Sequence, residues 1–419
     1  SPERAKVADF YAARSRLIPP LPWPTFPPPF SIGARQARHV AKAKRFGPSG
    51  PLPAVLHRNN RNTQVMPMNA AFAVPGDISA MTGGYLYDRS LLDALRSEGW
   101  NVELISLSDA FPFADKTTME AAIATLSKVP SDCPLIIDGL AFGALETDSL
   151  PAIQAPIIAL VHHPLSLESG LPEAEARRLY TAERANLQHA FHILVPSPHI
   201  RQVLTSDYGV AEQRITVIRP GRSAFATPKH AQAGEGPPLV LSVGLLHPRK
   251  GHDVLIEALA QITDLDWRAV IVGSPWEPGH DAVLRRQIGK AGLDDRVTLA
   301  GRVSAETLEQ FLSEAHLFAL ATRYEGYGIV FDEALIHGLP IISTTAGAVP
   351  GTVPSDAGTL VPPENPAAFA EALRALLEDP KRHAAMAAKA REAGDALPSW
   401  ADAAADVGQV LRAAQVTPS

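Results

Sequence analysis

Cysteine is almost missing from this 419-residue chain, and Cys133 is the only one. That excludes an internal disulfide and fits a reducing compartment. Long apolar runs are missing too. None approaches the roughly 18 residues that a membrane span requires. The first residues lack the charged, apolar, small-residue order of a secretory leader. The chain is therefore expected to be cytoplasmic, with contact to the inner face of a membrane left open. No G-x-G-x-x-G opens the first strand-helix unit, only Gly83-Gly84, which disfavours an NAD-binding protein.

What is present reads as a globular protein, 46% hydrophobic and 20% charged. A chain of 419 residues exceeds one ordinary core and points to two α/β domains. The net charge of −6 is unevenly spread. Residues 1–65 carry eleven Lys or Arg against two acids, which leaves −15 for the remainder. The same 65 residues hold eleven of the 38 prolines. Such density does not suit a packed domain and reads as disordered or polyproline-like. A basic arm for anionic lipid or nucleic acid, or a proline-rich ligand, would be functional readings. Against them, the chain starts at Ser1 without Met, and Met66-Pro67-Met68 directly precedes the first strand. Residues 1–67 are thus expected to be upstream sequence or a remnant, and no nucleic-acid partner is expected.

The informative stretch runs from Ala321 to Ser343, ATRYEGYGIVFDEALIHGLPIIS. Leu317 to Leu320 before it reads as a buried strand. Glu325-Gly326-Tyr327-Gly328 reads as a turn with two residues free to take φ > 0. Ile329 to His337 carries apolar residues at helical spacing, and Gly338-Leu339-Pro340 stops that helix. Pro340 to Ser343 is a second buried strand. Glu325 then sits at the carboxyl edge of a strand, and Glu333 lies a little over two turns along the next helix. The N–H groups of Gly328, Ile329 and Val330 open that helix as an anion site. Carboxylates suit sugar hydroxyls, and a helix N-terminus suits a diphosphate. Two glutamates eight apart are common, so the spacing alone is weak. The flanking residues are not. E-G-Y-G-I-V-F-D-E-A-L-x-x-G-L-P-I-I resembles the Glu-x7-Glu motif of glycosyltransferase family 4 enzymes, which have a GT-B fold. That implies two Rossmann-like α/β domains whose parallel sheets face each other across a cleft.

The resemblance covers about 69–415 and divides the chain. Residues 68–222 would be the acceptor-side domain, 223–238 the linker, 239–395 the donor domain, and 396–419 a helix crossing back to the first domain, with Trp400 to Ala413 as its candidate. In the first half, Asn69–Pro75, Asn101–Ser106, Pro134–Asp138, Pro156–His162, Phe191–Pro196 and Arg214–Pro220 read as strands, with helices at Tyr85–Glu98 and Glu173–Ala190. The Gly83-Gly84 loop is weak by itself, but the resemblance puts such a loop near donor phosphates and acceptor. His162-His163 follows the fourth strand, and adjacent residues point to opposite sides. Metal binding there is disfavoured, because no third ligand stands at a suitable spacing. By resemblance His162 faces the donor sugar, with His163 as the fallback, and Glu168 and Glu173 belong to the acceptor side.

In the second half the family's loop usually reads Gly-Arg-Leu and then Lys-Gly, its two cations neutralising the diphosphate. Here Gly244 is followed by Leu245, so the first cation is missing. Arg249 beside Lys250 is the expected replacement, and a solvated loop pair is the plainer alternative. Gly301 and Val303 are expected near the nucleotide base and Gly347 near the donor, while Gly351 stands where an acid is frequent. No Asp-x-Asp metal motif of the other major transferase fold stands where it is needed, so no metal or other cofactor is expected. The resemblance implies a retaining, hexosyltransferase-like enzyme using a nucleotide-diphosphate sugar and an unidentified acceptor, whether glycan, lipid or small molecule. Its catalytic set is Lys250, Arg249, Glu325 and His162. Gly83, Gly84, Gly244, Gly326, Tyr327, Gly328, Ile329, Val330, Glu333, Gly301, Val303 and Gly347 bind the donor. The rivals are a GT-B protein of another activity, epimerase or phosphorylase-like, and a nucleotide-sugar-binding protein without turnover.

Overall fold

The computed structural model describes residues 68–80, 82–168, 170–222, 236–276 and 278–416. The basic tail at 1–67 and most of the expected linker lie outside the described residues. The chain alternates strand and helix throughout. In its first half stand β1 (Asn69–Pro75), α1 (Gly83–Ser97), β2 (Asn101–Leu107), α2 (Lys116–Leu126), β3 (Leu135–Asp138), α3 (Gly139–Phe142), β4 (Ile157–Leu160), α4 (Glu173–His189), β5 (His192–Val195), α5 (Pro198–Ser206) and β6 (Ile215–Val217). The second half has β7 (Leu239–Val243), α6 (His252–Leu259), β8 (Arg268–Val272), α7 (His280–Lys290), β9 (Val297–Gly301), α8 (Ala305–Glu314), β10 (Leu317–Ala319), α9 (Ile329–Ile336) and β11 (Ile341–Thr344). It closes with α10 (Val349–Thr352), β12 (Gly358–Val361), α11 (Pro366–Leu377), α12 (Pro380–Asp395) and α13 (Trp400–Val416).

The strands form two parallel six-stranded sheets, ordered β2-β1-β3-β4-β5-β6 and β12-β11-β10-β7-β8-β9. Their short continuous apolar runs are buried on both faces, as a helix-covered parallel sheet requires. This is the GT-B architecture. Each sheet has a point where the chain turns to the other side of its first strand. In the first it lies between β1 and β3, in the second between β7 and β10. Ligands bind in open α/β sheets at the carboxyl ends of such strand pairs.

Two longer helices, α2 and α8, were not foreseen from sequence, nor were the one-turn helices α3 and α10. The longer two are announced by caps. Asp115 accepts from Thr118 N, and Ser304 accepts from Thr307 N. The Thr/Ala-rich α2 has too faint an apolar stripe to stand out.

The crossing-back helix is present. α13 packs on α1 of the first sheet. Its Ala403, Ala404, Val407, Leu411 and Ala414 share one core with Tyr87, Leu91, Leu92, Leu95 and Trp100. The Tyr87 and Trp400 rings meet edge to face at 5.2 Å. Just ahead of the helix, Arg222 N donates to Pro398 O at 2.8 Å, so the two chain segments run side by side there. Leu411 is fully buried. Leu411→Ala is expected to destabilise the chain by about 2–5 kcal/mol, the usual cost of a core leucine. A denaturant melt checks this, and a loss below about 1 kcal/mol would show that α13 is not part of that core.

Candidate active site

Both residues that lead the second sheet's switch point are charged. Lys250 closes the loop after β7, and Glu325 stands in the loop after β10. Lys250 Nζ donates to Glu325 Oε1 at 2.6 Å. Thr322 Oγ1 donates to the same oxygen at 3.1 Å. Glu325 is 4% exposed. Burial pushes its carboxyl up, but Lys250 and then Arg249 outweigh this and hold it below the usual range. Burial likewise draws the Lys250 ammonium down, with Glu325 opposing. The loop carrying Lys250 can come this close because of Gly251. It takes φ 65°, and a Cβ there would overlap Ala321 O.

Arg249 is not a solvated loop residue. Its Nη1 donates to Tyr324 O at 3.0 Å and lies 3.7 Å from Glu325 Oε2. Its Nε is 3.5 Å from Glu168 Oε1, which reaches over from the first half of the chain. Arg323, unremarked in the sequence, braces the same loop from behind. It forks onto Asp253 at 2.8 and 2.9 Å and pairs with Glu364. Gly244 lies against the Lys250 methylenes, where a Cβ would touch them at 3.4 Å. Leu245 leaves the position of the missing cation apolar and half-buried, and its carbonyl accepts from His247 N at 2.8 Å and faces His252 Nε2 at 3.3 Å.

Glu325-Gly326-Tyr327-Gly328 then turns into α9. Gly326 brings the turn against the first half of the chain, where a Cβ would overlap His162 O. Ser197 Oγ, at the head of α5, donates to Gly326 O at 2.6 Å. Gly328 caps α9 at φ 91°, so Ile329 and Val330 are its first N–H groups. Gly347 adjoins the turn, and Ala348 N donates to Glu325 O at 2.9 Å. Glu333 follows on α9, half-buried, its carboxyl pushed by burial up to about 7. Gly301 and Val303 stand apart, at the end of the outermost strand β9. That is three strands from β10, or roughly 14 Å, a span suited to the far end of a nucleotide.

Some expected contacts are otherwise engaged. Tyr327 turns its hydroxyl inward, donating to Asp332 Oδ2 at 2.7 Å and accepting from Arg219. Its hydroxyl thus fastens the turn to Asp332 and Arg219. Glu173, expected on the acceptor side, makes no contact with the Lys250–Glu325 group among the described residues. It lies exposed at the start of α4 and pairs with Arg177 one turn on, the ordinary fate of an i, i+4 pair.

The two histidines diverge as neighbours should. His163 packs against the Tyr324 ring at 4.9 Å, beside Glu168, and burial pushes its imidazole down to about 4. His162 lies by Gly84, whose Cβ would meet its ring at 3.6 Å, while Gly83 faces open space. His162 Nε2 is 2.7 Å from Asp88 Oδ1 and 3.7 Å from Asp138 Oδ2. The sequence reading found no third metal ligand near the pair. The fold supplies two carboxylates, one from α1 and one from the end of β3. Asp138 was legible as the polar end of a strand, but Asp88 carried no signal.

Comparison with known proteins agrees with this architecture. Residues 225–393 match the family model described as Glycosyl transferases group 1. The D-inositol 3-phosphate glycosyltransferase of Corynebacterium glutamicum (strain R) is 30% identical over 273 residues, 61% of this chain and 65% of that protein. A GDP-mannose-dependent monoacylated alpha-(1-6)-phosphatidylinositol monomannoside mannosyltransferase of Corynebacterium glutamicum is 33% identical over 201 residues, 46% of this chain and 51% of that one. The match thus spans between about half and two thirds of these curated relatives. Sucrose-phosphate synthase from Thermosynechococcus elongatus superposes with TM-score 0.70 at 23% identity, covering 83% of this chain and 98% of that one. Anabaena Alr3699/HepE in complex with UDP-glucose superposes with TM-score 0.64 at 18% identity, covering 83% and 100%. These two likenesses establish the fold. Residues 225–393 are thus similar to group 1 glycosyl transferases, and the fold of the chain is that of its GT-B neighbours.

Proposed function

We propose that the chain is a retaining glycosyltransferase that moves a hexose from a nucleotide-diphosphate sugar to an acceptor hydroxyl, with no metal in the transfer step. The observation that carries the reading is the Lys250–Glu325 pair, with Arg249 beside it, at the head of α9. Two cations and a helix N-terminus converge where a diphosphate would lie. A carboxylate is within reach of the sugar that the diphosphate carries.

In this mechanism the glycosidic bond to the diphosphate breaks as the acceptor oxygen approaches the same face of the sugar. Negative charge grows on the leaving phosphate oxygen. Lys250 and Arg249 stabilise that charge, which is greater in the transition state than in the bound donor. The departing phosphate takes the acceptor's proton. Glu325 orients sugar hydroxyls, and its attachment to Lys250 and Thr322 keeps it from swinging. His162 approaches the sugar from the first sheet. Glu333 holds the ribose, and Gly301 and Val303 border the base. A thermal-shift screen of uridine, guanosine and adenosine diphosphate sugars identifies the donor. A ligand at 100 times its dissociation constant adds about 2.7 kcal/mol of apparent stability.

The clamp makes a specific prediction. Lys250→Ala should lower kcat by about 10²–10³ with a smaller change in donor affinity, as for other donors aimed at developing charge. Arg249→Ala should cost at least about tenfold, or 1.4 kcal/mol. Both are read from steady-state kinetics with the donor the screen identifies. An Arg249→Ala enzyme equal to wild type, together with faster turnover in Leu245→Arg, would show that Arg249 does not replace the missing cation.

Glu333 is predicted to serve affinity more than chemistry, because ribose contacts do not change in the transition state. Glu333→Gln should raise the donor KM and leave kcat largely intact. Stability gives an independent sign. Burial raises the carboxyl from 4.5 to about 7 in the fold. The folded chain therefore holds a proton that the unfolded chain has released, and stability falls as pH rises through that window. Glutamine stays neutral, so the variant should melt like wild type near pH 4 and higher than wild type at pH 8. A collapse of kcat at unchanged KM would refute the ribose role.

A further inference from the structure

The first sheet's switch point is also built, and from groups of opposite sign. Asp138 ends β3, Asp88 projects from α1 a little over one turn after the Gly83-Gly84 opening, and His162 follows β4. Asp88 is fully buried and Asp138 is 2% exposed. Asp138 Oδ1 accepts from Leu140 N at 2.8 Å, and Asp88 Oδ1 is shared with His162 Nε2. The second oxygen of Asp88 is buried with no hydrogen-bond partner. It belongs to the same carboxyl group as the oxygen that meets His162. Among the described residues no Lys or Arg pairs with either acid, and His162 is their only counter-charge. Two buried carboxylates side by side are costly unless something positive joins them. Burial, and then Asp88, push the Asp138 carboxyl up.

We propose that Asp88, Asp138 and His162 form a binding site for one divalent transition-metal ion, Zn2+ by the chemistry of its ligands. The three ligand atoms lie within 4.8 Å of one another. Two of the separations are 2.7 and 3.7 Å. Ligands roughly 2.1 Å from a tetrahedral ion stand roughly 3.4 Å apart, so a small adjustment seats it. One imidazole and two carboxylates suit Zn2+ or Mn2+ better than a purely oxygen-bound ion. The two acids neutralise the ion's charge, and the orphan oxygen of Asp88 gains a partner. The His162 side chain is one-fifth exposed towards the cleft, so a water completes the shell from that side. The ion would tie α1 to the ends of β3 and β4 and fix the His162 ring. It is remote in role from the diphosphate, whose charge is met by Lys250 and Arg249. The site does not depend on the transferase reading.

The test titrates the full chain, stripped of metal, with Zn2+ in calorimetry against a competing chelator, and then with Mn2+. The expected result is one tight ion per chain, and a melting temperature that rises with it. Asp88→Asn and Asp138→Asn should each weaken binding by at least the roughly 10–100-fold that even an outer-shell partner is worth. His316 and His383 stack at 3.7 Å elsewhere on the chain and could catch metal by chance. His383→Ala should leave the tight site unchanged. X-ray absorption of the Zn2+-loaded wild type needs no variant. It should show a nitrogen and oxygen shell without sulfur. No binding by the wild type would overturn the proposal and leave the two acids sharing a proton. Equal affinity in the Asp88 and Asp138 variants, or a sulfur ligand from Cys133, would overturn it as well.

Discussion

The site depends on one buried ion pair. Lys250 and Glu325 come from loops 75 residues apart and meet at 2.6 Å. Each would be costly alone at this depth, and each is tolerable because the other is there. Thr322 and Arg249 take up further valences of the carboxylate. Arg323 ties the loop after β10 to Asp253 at the head of α6 and to Glu364 beyond β12. The charges are thus held in place before any ligand arrives. Preorganised charge is what an electrostatic mechanism requires, since it leaves no reorganisation to the moment of reaction.

Around this pair the two halves of the chain meet. Gly326 lets the turn after Glu325 lie on the His162 backbone, and Ser197 fastens it from α5. Arg249 reaches Glu168 across the cleft. On the other side, α13 leaves the second half of the chain and completes the core of the first. The chain therefore crosses between its halves twice, once through the segment before β7 and once into α13. The charge pattern divides the labour. The second switch point carries cations and an N-terminus, and the first carries Asp88 and Asp138. His162 sits on the boundary, its ring held by the acids and its backbone against Gly326.

By itself the sequence determined the alternation of strand and helix, the two parallel sheets and the Glu325-to-Glu333 segment. Those signals are local. A buried parallel strand is a short apolar run, a glycine turn carries its own conformational signature, and a stop at Gly338-Leu339-Pro340 is written in three residues. It also singled out Lys250 and Arg249, because a cation pair between a strand and a helix is a local pattern. Only the tertiary structure decided which polar residues converge. Asp88 lies 74 residues from His162 and on a helix like any other, so nothing nearby distinguishes it. Arg323 and Thr322 gain their roles from loops far away in the chain. Tyr327 turns its hydroxyl to Asp332, and Glu173 pairs with Arg177 in solvent, neither of which the local pattern announced. Backbone conformation follows from neighbours in sequence. The meeting of charges follows from strand order, which no local pattern encodes.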